Sequence, residues 1–133
     1  MTKTSGEHPS DCLFCRWIAQ GKAVAECGTV AAFDDGFPVT PGHLLIVPKR
    51  HVADGLNLNR QEIRDSEELI RRLVEQIRRD DPGVTGFNIG INIGQSAGQT
   101  VMHAHIHLIP RRDGDTDDPK GGVRGVIRGK RGY

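Results

Sequence analysis

The stretch Gly98–Arg112, GQTVMHAHIHLIPRR, places three of the chain's six histidines at alternate positions, His103, His105 and His107, between a glycine-bearing loop and Pro110. Successive side chains on a strand point to opposite faces. A strand over Val101–Pro110 therefore puts the three imidazoles on one face and Ala104, Ile106 and Leu108 on the other, so that one face packs on a core while the other stays polar. At ~3.3 Å per residue the alternate imidazoles stand ~6.6 Å apart, too far for one metal ion to gather all three from a regular strand.

Working outward, GFNIGIN (Gly86–Asn92) reads as the preceding strand, joined to the histidine strand through IGQSAGQT. HLLIVPK is a compact apolar strand ended by Pro48, and two further β-leaning segments, about 23–27 and 30–34, flank a turn at Gly28. Residues 59–80 carry helical periodicity, with Ile63, Ile70, Leu73, Val74 and Ile77 on one face and Glu67/Arg71, Glu68/Arg72 and Glu75/Arg79 pairs on the other. A shorter helix is expected over about Cys12–Gln20, capped by Ser10 or Asp11 and ended by Gly21. Strands linked by short glycine-bearing loops, with one long helix inserted, predict an α+β domain: an antiparallel sheet with helices packed on one face.

A chain of 133 residues fits one domain. The reading divides it into a tail (1–10), a core domain (11–112) and a charged, glycine-rich C-terminal arm (113–133). Eighteen basic residues balance seventeen acidic ones, so net charge does not call for nucleic acid or an anionic membrane as partner. The longest aliphatic run, Leu44–Val47, is far below the ~18 residues of a membrane span, and the polar start MTKTSGEHPS is unlike a signal peptide. A cytoplasmic protein is expected. Three cysteines do not make a secreted disulfide scaffold; Cys12 and Cys15 suggest metal or redox chemistry, and Cys27 a buried, inert thiol.

The imidazoles admit two active readings. Neighbouring members of the run could share a metal ion, as in a metal-activated hydrolase. Alternatively one of them is a nucleophile toward phosphorus, which requires its other ring nitrogen to be held by an acceptor and requires cationic or N–H donors around the phosphate oxygens. The neighbouring imidazoles and the loop Gly94–Thr100 supply such donors. A binding module without turnover is a third class.

HAHIHLIP after GQT resembles the histidine triad motif of the histidine triad nucleotide hydrolases and transferases, and AAFDD, PGHLLIVPKRH and GFNIGINIGQSAGQTV resemble that family's other segments in the same order. The resemblance covers about Asp11–Tyr133. It implies a five-stranded antiparallel sheet with flanking helices and a homodimer whose sheets join. It further implies that His105 is the nucleophile, His107 stabilises the phosphate and His43 is a fourth imidazole near the site. By the same resemblance Asp35 binds the ribose, Asn92, Gly98, Gln99 and Thr100 surround the phosphates, and Phe33 and Ile46 lie near an adenine or guanine base. Cys12, Cys15, His51 and His103 resemble the ligands of a structural zinc; no catalytic metal is then required. The arm DDPKGGVRGVIRGK resembles that of bacterial diadenosine polyphosphate hydrolases, with Lys120, Arg124, Arg128, Lys130 and Arg131 placed either to meet a phosphate chain, in one chain or across a dimer, or only to keep a glycine-rich tail soluble; Arg128 stands where the resemblance calls for proline. The substrate is a dinucleoside polyphosphate or a nucleoside phosphoramidate.

Overall fold

The computed structural model describes Pro9 and residues 11–132. Of the expected tail, residues 1–8, His8 among them, and Ser10 lie outside the described residues. The elements run α1 (Leu13–Ala19), β1 (Ala25–Cys27), β2 (Val30–Asp34), β3 (Leu44–Pro48), α2 (Arg60–Asp80), β4 (Val84–Ile91) and β5 (Ile106–Arg112). Short 3-10 turns occur at Gly55–Asn57, Gln95–Ala97 and Gly122–Val126. The five strands form one antiparallel sheet in the order β1-β2-β3-β5-β4, so β1 and β4 are its edges.

Alternation along the central strands builds two cores. Val30, Ala32, Leu44, Ile46 and Leu108 point to one face, where Leu69 and Leu73 of α2 cover them. Ala31, Phe33, Leu45 and Val47 point to the other, against Phe14 of α1. The helices thus take opposite faces, not the single face expected, because β2 and β3 are apolar on both sides and each face must be buried.

Helix α2 starts at a capping box: the Asn59 side chain accepts from the Glu62 backbone N–H, and Glu62 Oε1 accepts from the Asn59 N–H, each at 2.8 Å. Its exposed glutamate–arginine pairs form as the i,i+4 spacing predicts. Ile63 corrects the predicted apolar face, being 55% exposed, while Glu62 and Ser66 are buried in the same turn. Glu62 is drawn inward by Arg50, whose Nε and Nη2 donate to its two carboxylate oxygens at 3.0 and 2.8 Å. Burial alone would raise the Glu62 carboxyl, but the hydrogen bonds from Arg50 and Asn59 outweigh it and hold the group below its ordinary value. In α1 the N-cap is Cys12, not Asp11. Cys27 is only half-buried.

The expected strand from Val101 begins five residues late, at Ile106. Residues 101–105 are irregular: Ala104 N–H donates to the Val52 carbonyl at 2.7 Å, outside the sheet ladder. Only His107 therefore sits on a strand, and the regular spacing of three imidazoles along one face does not occur. Among the described residues no helix is long and apolar enough to cross a membrane.

Candidate active site and metal centre

His103 is fully buried. Its Nε2 donates to the Pro48 carbonyl at 2.8 Å, which puts the ring proton there and makes Nδ1 the lone-pair nitrogen. That Nδ1 lies 3.4 Å from Cys12 Sγ, 3.5 Å from Cys15 Sγ and 3.3 Å from His51 Nδ1, and His51 Nδ1 lies 3.4 Å from Cys15 Sγ. Zinc held tetrahedrally at ~2.3 Å from sulfur and ~2.0–2.1 Å from nitrogen requires ligand atoms about 3.3–3.8 Å apart, so the four donors fit a zinc ion. Helix α1 brings the cysteines, with Cys12 Sγ accepting from the Cys15 N–H, and the chain leaving β3 brings His51 beside the anchored Arg50. Burial, and then the neighbouring Cys12 thiol, push the Cys15 thiol up to about 12. Two such thiols become a thiolate pair when a cation sits between them.

His105 hydrogen-bonds through the other nitrogen. Its Nδ1 donates to the His103 carbonyl at 2.8 Å, so Nε2 keeps the lone pair. Its ring packs edge-on against Phe14 and His107, with ring centroids 4.9 and 5.2 Å away. Beyond it the Val39 N–H donates to His43 Nδ1 at 3.1 Å, which puts the His43 proton on Nε2. That proton is donated to His107 Nδ1 at 2.9 Å and leaves His107 with its own proton on Nε2. Burial lowers both His43 and His107 below the ordinary histidine value; for His107 the nearby His105 and His43 add to it, and Asp35 opposes the shift in both. The Asp35 Oδ2 is 3.4 Å from His43 Nε2 and 3.9 Å from His107 Nδ1, while Oδ1 accepts from the Phe37 N–H at 2.7 Å.

These groups open on a cavity of about 300 Å³ whose walls include Asp35, Asn92, Gly98, Thr100, His105 and His107. Gly98 closes the 3-10 turn before the triad in a left-handed conformation (φ 95°), as a residue without a β-carbon readily does. The apolar end is formed by Leu13, Phe14, Trp17, Phe37 and Leu45. None of these five was singled out from sequence for the site; an aromatic residue two places after Asp35, and one in phase with Phe14 on α1, were the available signals. Phe33 and Ile46 are core residues, each 1% exposed; Ile46 faces α2, and neither lines the cavity. Gln99 is buried, its amide accepting from the Gly94 N–H at 2.9 Å and donating to the Ala53 and Val101 carbonyls at 2.7 and 3.0 Å. It braces the loop that Asn92 and Thr100 flank.

A metal shared by His103 and His105 does not fit, since His103 Nδ1 turns to the cysteines and His105 Nδ1 to a carbonyl. Asp35, His43 and His107 also bring donor atoms within 4.8 Å of one another. With the His43 proton held on Nε2 by the Val39 N–H, that group is a hydrogen-bonded relay. Of the five basic arm residues, Arg131 alone lines a cavity that His107 also lines.

A five-stranded antiparallel sheet, an imidazole with a free Nε2 beside a neutral imidazole relay, and a closed Cys2His2 cluster define a histidine triad protein. The chain belongs to the HIT domain family, whose pattern matches residues 19–114. It is 36% identical to an uncharacterized HIT-like protein of Saccharolobus solfataricus over 115 residues, 80% of this chain and 78% of that one. It is 40% identical over 107 residues to the asymmetrical bis(5'-nucleosyl)-tetraphosphatase of Schizosaccharomyces pombe, covering 80% of this chain and 58% of that one. It is 32% identical over 111 residues to an adenosine 5'-monophosphoramidase of Candida albicans, covering 78% and 72%. Among solved structures, a zinc-bound histidine triad family protein of Mycobacterium smegmatis aligns with a TM-score of 0.73 at 31% identity, over 80% of this chain and 78% of that one.

Proposed function

We propose that the protein is a nucleotidyl-transferring hydrolase that releases a nucleoside monophosphate from a dinucleoside polyphosphate or a nucleoside phosphoramidate. The observation that carries this reading is the hydrogen bond from His105 Nδ1 to the His103 carbonyl, which leaves the Nε2 lone pair of a cavity-lining imidazole available for attack. The Nε2 lone pair attacks the α-phosphorus, and the bond from phosphorus to the leaving oxygen or nitrogen breaks with its electron pair on the leaving atom. The His107 Nε2–H donates to that atom or to a phosphate oxygen while the His43 Nε2–H steadies His107 by its hydrogen bond to Nδ1, and any proton His107 gives up is regained from the attacking water of the second step. Water then cleaves the nucleotidyl-His105 bond and restores the neutral imidazole. Thr100 and Asn92 hold the phosphate, Asp35 accepts from the ribose hydroxyls, and the apolar end around Trp17 takes an adenine or guanine base. Gln99 serves by keeping Gly94 and Val101 in place.

Cys12, Cys15, His51 and His103 hold a structural zinc in this reading; bound, it closes the scaffold and supplies no step of the reaction. A homodimer with a continuous sheet is supported by the free edge of β4, beside which an apolar groove includes Ile63, Ile70, Val74 and Ile89. The unpaired cysteines suit a reducing, cytoplasmic compartment.

The test is release of adenosine monophosphate from adenosine 5'-phosphoramidate and from diadenosine tetraphosphate, in chelator, by wild type and His105→Ala. We expect turnover by wild type and a loss of at least ~10³-fold in the folded variant. A folded wild type that binds nucleotide but turns over neither substrate would refute the reading in favour of a binding module, and turnover that returns only with added metal would refute the metal-free mechanism.

A further inference from the structure

The four donors of the metal cluster are not equally enclosed. Cys15 is 5% exposed and His103 is fully buried, with the Phe14 ring edge-on against it at 5.8 Å. Cys12 and His51 are half-buried, and both line a cavity of about 430 Å³ whose walls include Asp11, Thr100 and Met102. Those three residues are exposed, so the cavity opens to solvent, and neither Cys15 nor His103 lines it. Among the described residues, small solutes therefore meet one face of the cluster, at Cys12 and His51, while the other face is closed by the core.

The two thiols differ in a second way. Cys15 lies within α1, whereas Cys12 is its N-cap, with an extended backbone (φ −83°, ψ 121°) outside the helix. The Cys15 N–H donates to the Cys12 sulfur, and the two sulfurs lie within 4.8 Å of each other. The accessible thiol is thus also the one outside the helix, free to turn toward its partner. Cys27, in β1, is no part of the cluster. Zinc held by Cys12 and Cys15 keeps both sulfurs as thiolates, the form that attacks oxidants.

We propose that Cys12 is an oxidation site for hydrogen peroxide entering through this cavity, with Cys15 as its resolving thiol and zinc as the ion released. The inference rests on the zinc reading and adds a reaction to it. The Cys12 thiolate attacks one oxygen of the peroxide, the O–O bond breaks with its electron pair on the other oxygen, hydroxide leaves and Cys12 becomes a sulfenic acid. The Cys15 thiolate then attacks the Cys12 sulfur, the S–O bond breaks and a second hydroxide leaves. The two thiolates have given up two electrons, the peroxide has taken them as two hydroxides, and zinc has lost both anionic donors. Zinc ties α1 to His51 after β3 and to His103 before β5, whereas the disulfide ties α1 to neither. Oxidation exchanges a cross-link between three segments for a link inside one, on the helix that carries Phe14 and Trp17 to the His105 cavity.

The experiment treats the zinc-loaded protein with hydrogen peroxide beside pyridylazoresorcinol, which reports free zinc by colour, and maps the thiols by mass spectrometry with and without dimedone. We expect zinc release, the loss of two hydrogens localised to a Cys12–Cys15 disulfide, and a lower melting temperature, all reversed by a thiol reductant with added zinc. During brief exposure dimedone should label Cys12 at least about fivefold more than Cys15 or Cys27. Met102→Leu removes an exposed thioether that competes for peroxide, and both it and Cys27→Ser should release zinc as wild type does. Zinc retained under peroxide, a label falling first on Cys15 or Cys27, or a disulfide that includes Cys27 would overturn the proposal. A purified protein that takes up no zinc fails the zinc reading separately. Diamide then tests the thiols alone: a Cys12–Cys15 disulfide upholds the pair, and its absence overturns it.

Discussion

His103 and His105 are two residues apart, and the molecule divides its chemistry between them. Each donates one hydrogen bond to a backbone carbonyl, but through opposite nitrogens. Pro48 takes Nε2 of His103 and leaves Nδ1 for the cysteine cluster; the His103 carbonyl takes Nδ1 of His105 and leaves Nε2 for the cavity. The first imidazole is fully buried between the Pro48 carbonyl and the cysteine–histidine cluster, while the second lines an open space beside the His43–His107 pair. Which nitrogen meets a carbonyl decides which lone pair the ring keeps, and in the proposed reading that separates a scaffold ligand from a nucleophile.

The sharpest way to break this division is to exchange the losses. His103→Ala removes a fully buried ring and one donor of the cluster, and should cost about 3 kcal/mol or more of stability and most of the zinc affinity, read by thermal melting and metal titration. Its turnover at low temperature should fall only in proportion to the folded fraction. If instead His103→Ala keeps its melting temperature and loses activity as His105→Ala does, the division is wrong.

A smaller effect tests the support under the scaffold side. Glu62→Gln leaves Arg50, about 30% exposed, without its carboxylate, and should destabilise by about 2 kcal/mol, below the range for a fully buried pair because water reaches Arg50. Urea denaturation checks the size. His51 next to Arg50 should move with it, so zinc affinity should fall in the same variant, while an unchanged affinity would detach the ion pair from the metal centre.

The smallest effect is in protonation. His43 and His107 are depressed by burial, so in an NMR titration their midpoints should lie below that of an exposed imidazole. The sign for stability follows: as pH falls below about 6.5 the unfolded chain takes up protons on these rings that the folded chain still refuses, so their contribution is complete above that pH and is lost on the way down to the folded midpoints. Asp35 works against the depression, and Asp35→Asn should lower both midpoints further. A rise in either would mean that its carboxylate does not face the relay.

Much of this was legible in the chain because it depends on local order. The triad spacing and the Cys-x-x-Cys pair bring their donors wherever the chain goes, and the period of α2 requires a helix of nearly the observed length. Legibility failed where a distant group outcompeted a local pattern. Ile63 lost the inward position to Glu62 because Arg50 lies across from that turn, and β5 starts late because the Val52 carbonyl and the cysteines pull residues 103–104 away from the ladder. Gln99 carries the polar signal of a ligand contact, yet the distant Ala53 carbonyl, the Val101 carbonyl and the Gly94 N–H use it up. Trp17 and Phe37 carried no such signal, since an aromatic residue in sequence reads as core until a cavity is seen beside it.

By itself the sequence determined the inventory: four donors suited to zinc, an imidazole run after a glycine loop, and an antiparallel α+β framework able to hold them. Only the tertiary structure decided which nitrogen of each ring stays free, that the two helices part to opposite faces, and that the arm folds beside His107 to bound a second cavity. Residue types and spacings travel with the chain. A lone pair's direction and a cavity's wall depend on groups tens of residues away, and those meet only when the chain is folded.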